Sequence, residues 1–246
     1  MLAVTGSIAV WVLVTQVAAI PSYKLPPPQM VGQVGWHLLT SGQLSANAWV
    51  SFWRLILAFA IGAGLAIPLG LGIATNRYVA SFLRPLVTFF NSVAGIAWIP
   101  LAIIWFGFGP SAVIFVVANN VFFIVLFNTV TGALTIPQHL IRAVRTLGGG
   151  PRDVFWHVIL PGALVNILGG LRTGMAFGWR ALVVAEIVGS SGTGLGYMIL
   201  NAARYFDTAT MLVGIFAVGV VWLFMDRLLL KPWEMRTVER WGLTQP

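Results

Sequence analysis

An all-α protein that crosses a membrane six times is predicted by three observations. Of the 246 residues, 59% are hydrophobic and only 8% charged, whereas a soluble domain carries about 25% charged residues. Apolar runs of spanning length, roughly 20 residues, recur along the chain. The basic residues behind the net charge of +8 gather at the ends of those runs. That clustering assigns them to topology and anionic lipid headgroups and argues against nucleic acid, which needs a solvated basic face. The absence of Cys excludes disulfides, thioether haem and thiolate metal sites.

The elements follow in order. Leu2 to Ile20 is apolar but has no basic leader and no small-residue cleavage site before Pro21, so it is taken as the first span. Pro21 to Pro28 stops any helix. Gln29 to Leu44 places Met30, Val34 and Leu38 on one face and is expected at the interface. The second span, Trp49 to Ala74, is Gly-rich, which allows close helix approach. Asn76 to Pro85 is expected as a polar loop, and the third span, Leu86 to Phe108, as a helix broken at Pro100. Ser111 to Leu134 is the fourth span, Gly162 to Val188 the fifth and Ala209 to Leu230 the sixth. A Gly/Ser loop with a short helix fills Ser190 to Asp207, and a basic tail covers residues 231–246. The whole of 1–246 is expected to be one domain.

An even number of spans puts both termini on one side. That side collects Arg77, Arg84, Arg142, Arg145, Arg152, Arg227, Lys231, Arg236 and Arg240, against Lys24, Arg54 and Arg204 opposite. The richer side is predicted to be cytoplasmic.

Ile136 to Pro161 is the only long stretch between spans that suits water. It reads as helix (His139 to Leu147), a break at Gly148-Gly149-Gly150-Pro151, and helix again from Arg152 to Leu160, ended by Pro161. A polar hairpin at the basic end is placed to touch a cytoplasmic partner. Ala143, Leu147 and Gly148 allow close approach, and Arg145 and Arg152 are placed to meet acids. The alternative is a solvated loop whose bases only fix topology.

Charges within spans are the second candidate site, because each costs roughly 2.5–3.5 kcal/mol at the centre of a helix even on insertion scales. Arg54 and Arg180 lie at similar distances from the outer ends of oppositely running spans. Two cations around an outer vestibule favour an anion. The structural alternative has Arg54 snorkelling and Arg180 paired to an acid. Glu186 lies about 240° around the helix from Arg180, so pairing needs another helix, a second copy or an unwound segment. Asn91, Ser92, Asn119 and Asn120 can line a path or hold helices together. Gly192-Thr193-Gly194-Leu195-Gly196 has neither a following Lys-Ser/Thr nor a preceding strand, so it is expected to be a flexible outer turn and not a phosphate loop. The three His have no metal spacing, and no metal site is predicted.

Arg142-Ala143-Val144, Gly148 and Val158-Ile159-Leu160-Pro161 resemble the cytoplasmic EAA loop of bacterial ABC importer permeases: Glu-Ala-Ala, three residues, Gly, nine residues, Ile, one residue, Leu-Pro. Ile67 to Ala74, Ile99 to Gly109 and the run from Gly170 to Ile199 are similar to the nitrate, sulfonate, taurine and bicarbonate branch. Arg142 replaces the motif's Glu and Val144 its second Ala. The resemblance implies a MetI-like type I importer fold and a homodimer in the bacterial inner membrane. It also implies ATPase coupling through Arg142, Ala143, Val144, Arg145, Leu147, Gly148, Arg152, Leu160 and Pro161. Cytoplasmic ATPase subunits would hold ATP and Mg, and an outer solute-binding protein would deliver a small anion. An ATPase-independent channel or secondary carrier is the alternative; a membrane enzyme would need paired intramembrane acids or His that the sequence lacks.

Overall fold

The computed structural model describes residues 6, 10–15, 21–190 and 192–230, and every regular element among them is helical. The predicted span at Leu2–Ile20 lies mostly outside the described residues; residues 10–15 are helical. The helices, in chain order, are α1 (Pro28–Thr40), α2 (Gln43–Thr75), α3 (Arg77–Ser92), α4 (Ile99–Phe106), α5 (Pro110–Leu134), α6 (Gln138–Thr146), α7 (Pro151–Gly189), α8 (Leu195–Arg204) and α9 (Thr208–Met225). Four helices are long and apolar enough to cross a membrane: Gln43–Thr75, Pro110–Leu134, Pro151–Gly189 and Thr208–Leu228. The pair Tyr78–Ser92 and Gly95–Phe106, bent by 90°, makes a fifth if it is one broken span.

The core is a bundle of α2, α5 and α7, in which α5 runs parallel to α2 and antiparallel to α7. Lipid offers apolar side chains no hydrophobic gain on association, so tight packing has to hold spans together, and small residues permit it. A Cβ at Gly62 would stand 2.6 Å from the Ala118 carbonyl oxygen, and one at Gly170 would stand 2.5 Å from Asn128 Cβ. Around these contacts Leu55, Val117, Val121, Val125, Leu126 and Leu182 are fully buried. Gly62→Val is therefore expected to cut the amount of folded protein in the membrane severely, because its obstacle is backbone that cannot swing aside. Quantifying detergent-extractable monodisperse protein checks this; wild-type yield would show that α2 and α5 can separate.

Three expectations change. Asn76–Pro85 is not a loop: α3 starts at Arg77, capped by the Asn76 side chain, which accepts the Tyr78 N–H at 2.9 Å. The break in the third span comes at Val93–Ala94, not at Pro100. Pro100 sits in the first turn of α4, where its missing N–H costs nothing. Pro161 does not end a helix either. The chain runs as one helix from Pro151 to Gly189, with a π turn at Phe155–Ile159 in which the Leu160 N–H reaches back to Phe155 O. That turn shifts the hydrogen-bond register just ahead of a proline whose ring would clash with a regular preceding turn.

The amphipathic segment is α1, which packs on α9 with Gly35 facing Val213. Gly107, at φ +73°, turns the chain between α4 and α5, and the Gly109 N–H donates to Gly189 O at 2.9 Å. That bond sets the start of α5 level with the end of α7.

Candidate functional site

The two ends of the bundle carry the two sites. At the end where α7 finishes, Arg54 (4% exposed) and Glu186 (0% exposed) form a buried ion pair, Nη1 to Oε1, at 2.8 Å. The partner on another helix that Glu186 requires is thus on α2, and it is Arg54. Ser51 Oγ lies 2.8–2.9 Å from both carboxylate oxygens, and the Gly196 N–H donates to Oε2 at 3.0 Å. Arg54 also donates from Nη1 to the Thr193 carbonyl and from Nη2 to the Thr193 hydroxyl, both at 2.8 Å, and Nη1 lies 3.3 Å from Ser190 Oγ.

The Gly-rich run is consequently a fixed structure and not a flexible turn. Gly194 N–H donates to Asn47 Oδ1 at 2.8 Å and Leu195 N–H to Ser51 Oγ at 2.9 Å. A Cβ on Gly194 would sit 2.4 Å from Glu186 Oε1. The run does what such loops do for phosphate, aiming N–H groups and the start of a helix at an anion. Here the anion is the protein's own carboxylate at the start of α8. Arg54 and Glu186 therefore lie in the interior and do not open on a vestibule. Asn47 and Ser51 complete this site beside Thr193 of the Gly-rich run. Asn47, Ser51 and Arg54 recur at i, i+4 and i+7, a polar stripe on an otherwise apolar helix that marks one face toward a partner.

At the opposite end, α6 closes in a Schellman turn. Gly148 N–H donates to Arg145 O at 3.0 Å and Gly149 N–H to Val144 O at 2.9 Å, with Gly148 at φ +88°. Asp153 then starts α7 by accepting the Gly150 N–H at 2.8 Å. Arg142, Ala143, Arg145, Gly148 and Arg152 are exposed, Leu147 is 87% exposed, Val144 is half-buried, and Leu160 and Pro161 are half-buried within α7. Leu160 packs on the small cluster of Leu71, Ala163 and Ile167, which ties the hairpin to α2 and α7. Arg145 and Arg152, with Tyr78 and Trp156, line a groove of about 550 Å³ beneath the hairpin.

Residues 66–230 match the family described as the binding-protein-dependent transport system inner membrane component. The chain belongs to that family. It is 33% identical to the taurine transport system permease protein TauC of Escherichia coli over 89% of this chain and 81% of that protein. It is 35% identical to the putative aliphatic sulfonates transport permease protein SsuC of the same organism, over 85% of this chain and 80% of that one. Among solved structures, the MetNI methionine ABC transporter in an inward-facing conformation matches with a TM-score of 0.61 at 19% identity, covering 77% of this chain and 95% of that chain. The protein is an ABC transporter permease, a multi-pass inner-membrane component, and its helices have the MetI-like fold.

The remaining candidate residues of the permease fall in three places. Asn91 and Ser92 are exposed where α3 ends, the Ser92 hydroxyl donating back to Phe89 O at 2.6 Å. Asn119 and Asn120 are half-buried on α5, and Asn120 packs against Gly95. Arg180 is exposed on α7 with its guanidinium 5.3 Å from the Phe177 ring centre. The structure does not bring these residues together with Arg54 and Glu186. Arg172 reaches Asp226 at 3.7 Å.

Proposed function

We propose that this permease imports a small oxyanion or organic sulfonate as one of two identical copies. Each copy's 136–161 hairpin would seat on a cytoplasmic ATPase, with both termini on that side. The observation that carries the reading is α6. It is a rigidly capped helix outside the packed bundle, presenting Leu147, Arg142 and Arg145 to solvent while its continuation, α7, crosses the membrane. A partner that moves α6 thereby moves a helix lining the bundle. ATP and Mg would be held by that partner, since the Gly192–Gly196 run is occupied by Glu186. This chain is then a transport subunit without catalysis of its own. A solute-binding protein at the outer end would supply the anion. The names of the sulfonate and taurine relatives support the cargo class.

A mild-detergent pull-down of the tagged full chain from its native membrane, read by mass spectrometry, is the test. A P-loop ATPase in near-equal amount is the expected result. Its absence even after crosslinking, with uptake that follows the ion gradient instead of ATP, would move the reading to a carrier. Because Arg142 is solvent-exposed and makes no ion pair among the described residues, Arg142→Glu is expected to change ATP-driven uptake less than about twofold, the scale of a surface charge. Loss of uptake in that variant, with normal protein level, would mean that docking here depends on the cation.

A further inference from the structure

Arg180 is an intramembrane cation with no counter-charge among the described residues. The Gly109–Gly189 hydrogen bond fixes the outer level of the bundle, and Arg180 lies nine residues inward along α7, about 13 Å at helical rise. That depth is close to the middle of a hydrocarbon core roughly 30 Å thick. The four acids among the described residues are engaged elsewhere: Glu186 with Arg54, Asp226 with Arg172, Asp153 at the start of α7 and Asp207 at the start of α9. Among the described residues Arg180 meets the face of Phe177, which orients the guanidinium but does not neutralise it.

A second, independent feature lies beside it. Arg180 and Trp179 line a cavity of about 190 Å³ with Ala176, Val218, Gly219 and Trp222, between α7 and α9, two helices that scarcely touch. Trp179 is 3% exposed, and its indole N–H is one of three buried indole donors with no acceptor among the described residues. Gly219 faces open space on the α9 side. The charged group lining this cavity is the Arg180 guanidinium, a donor only. A guanidinium has no acceptor capacity and is met by an anion's oxygens. The volume corresponds to about six waters at roughly 30 Å³ each, room for a small oxyanion.

We propose that this cleft is an oxyanion site within the membrane, where the Arg180 guanidinium holds the anionic head of the cargo beside the buried Trp179 ring. The assignment rests on the small-anion reading above, and it places the contact on Arg180 and not on the Arg54–Glu186 pair.

The test is titration of the full-length permease in nanodiscs, with ¹⁵N-labelled indoles, by methanesulfonate at low ionic strength. The Trp179 Nε1–H resonance, assigned through Trp179→Phe, is expected to move saturably. Arg180→Gln should weaken the midpoint about tenfold, the effect of losing one charge-assisted hydrogen bond, and Arg180→Lys should weaken it less. A wild-type resonance that does not move, or one that moves identically in Arg180→Gln, overturns the site. ATP-driven methanesulfonate uptake by the permease with its ATPase separates the two levels of the argument. Uptake with an unchanged KM in Arg180→Gln removes the site and leaves the importer. A wild-type protein that imports no anion removes the importer reading itself.

Discussion

Replacing Glu186 with Leu is expected to lower the thermal midpoint of the detergent-solubilised protein by about 6–20 °C. Breaking a buried pair by removing one partner costs roughly 3–5 kcal/mol, and for a chain of this size each kcal/mol moves the midpoint about 2–4 °C. The physical reason is specific to this cluster. Without the carboxylate, Arg54 keeps its contacts to Thr193 but becomes a buried charge without an acid, and the Gly196 N–H and Ser51 hydroxyl lose their acceptor. Arg54→Met should cost a similar amount. The double variant Arg54→Met/Glu186→Leu should cost clearly less than the sum, because removing both charges leaves neither uncompensated. Limited proteolysis between Gly189 and Leu195 reports the same event locally, since that segment is pinned by these bonds. Additive losses in the double variant would show that the two residues act independently, and the cluster would not be the anchor of the loop between α7 and α8.

How far the chain could be read in advance follows from which physics is local. Hydropathy over twenty residues is a local property, so α2, α5, α7 and α9 were legible, as was the polar hairpin between α5 and α7. Helix continuity through prolines was not. Whether Pro161 stops a helix depends on whether the preceding turn can widen to a π turn, as it does at Phe155–Ile159. Whether Pro100 breaks one depends on where the helix starts. The pairing of Arg54 with Glu186 bridges 132 residues of sequence. What was visible is that Glu186 could not reach Arg180 on its own helix. The polar stripe of Asn47, Ser51 and Arg54 is a local pattern too, and it marks the face of α2 that meets Glu186 and the loop after it. The Gly-rich run misled because glycine spacing reports close backbone approach without saying to what. Here a Cβ at Gly194 or Gly196 would collide with α7.

Gly148 gives the second large effect, and it should separate coupling from assembly. Nothing lies within 4 Å of a Cβ built there, so space is not the constraint; the backbone is, at φ +88°. A left-handed residue costs an ordinary L-side chain roughly 1–2 kcal/mol, and more for a β-branched one. The Schellman turn that this penalty opposes is held by two hydrogen bonds, each worth about 1 kcal/mol. Gly148→Val should therefore release the turn and change the angle at which α6 leaves α7, displacing Arg145 and Leu147 from the partner. ATP-driven uptake is expected to fall by about five- to thirtyfold, the rate equivalent of that penalty, with protein level and thermal midpoint unchanged because the hairpin stands outside the packed bundle. Gly148→Asn, which tolerates the left-handed region, should keep uptake near wild type. Gly148→Asp has the same shape as Asn with an added negative charge beside Arg145, and it is expected to lose uptake through that charge. Full uptake in Gly148→Val would mean that the angle of α6 does not transmit force. Equal loss in Asn and Val would mean that the partner contacts the glycine backbone itself, so that any side chain blocks it.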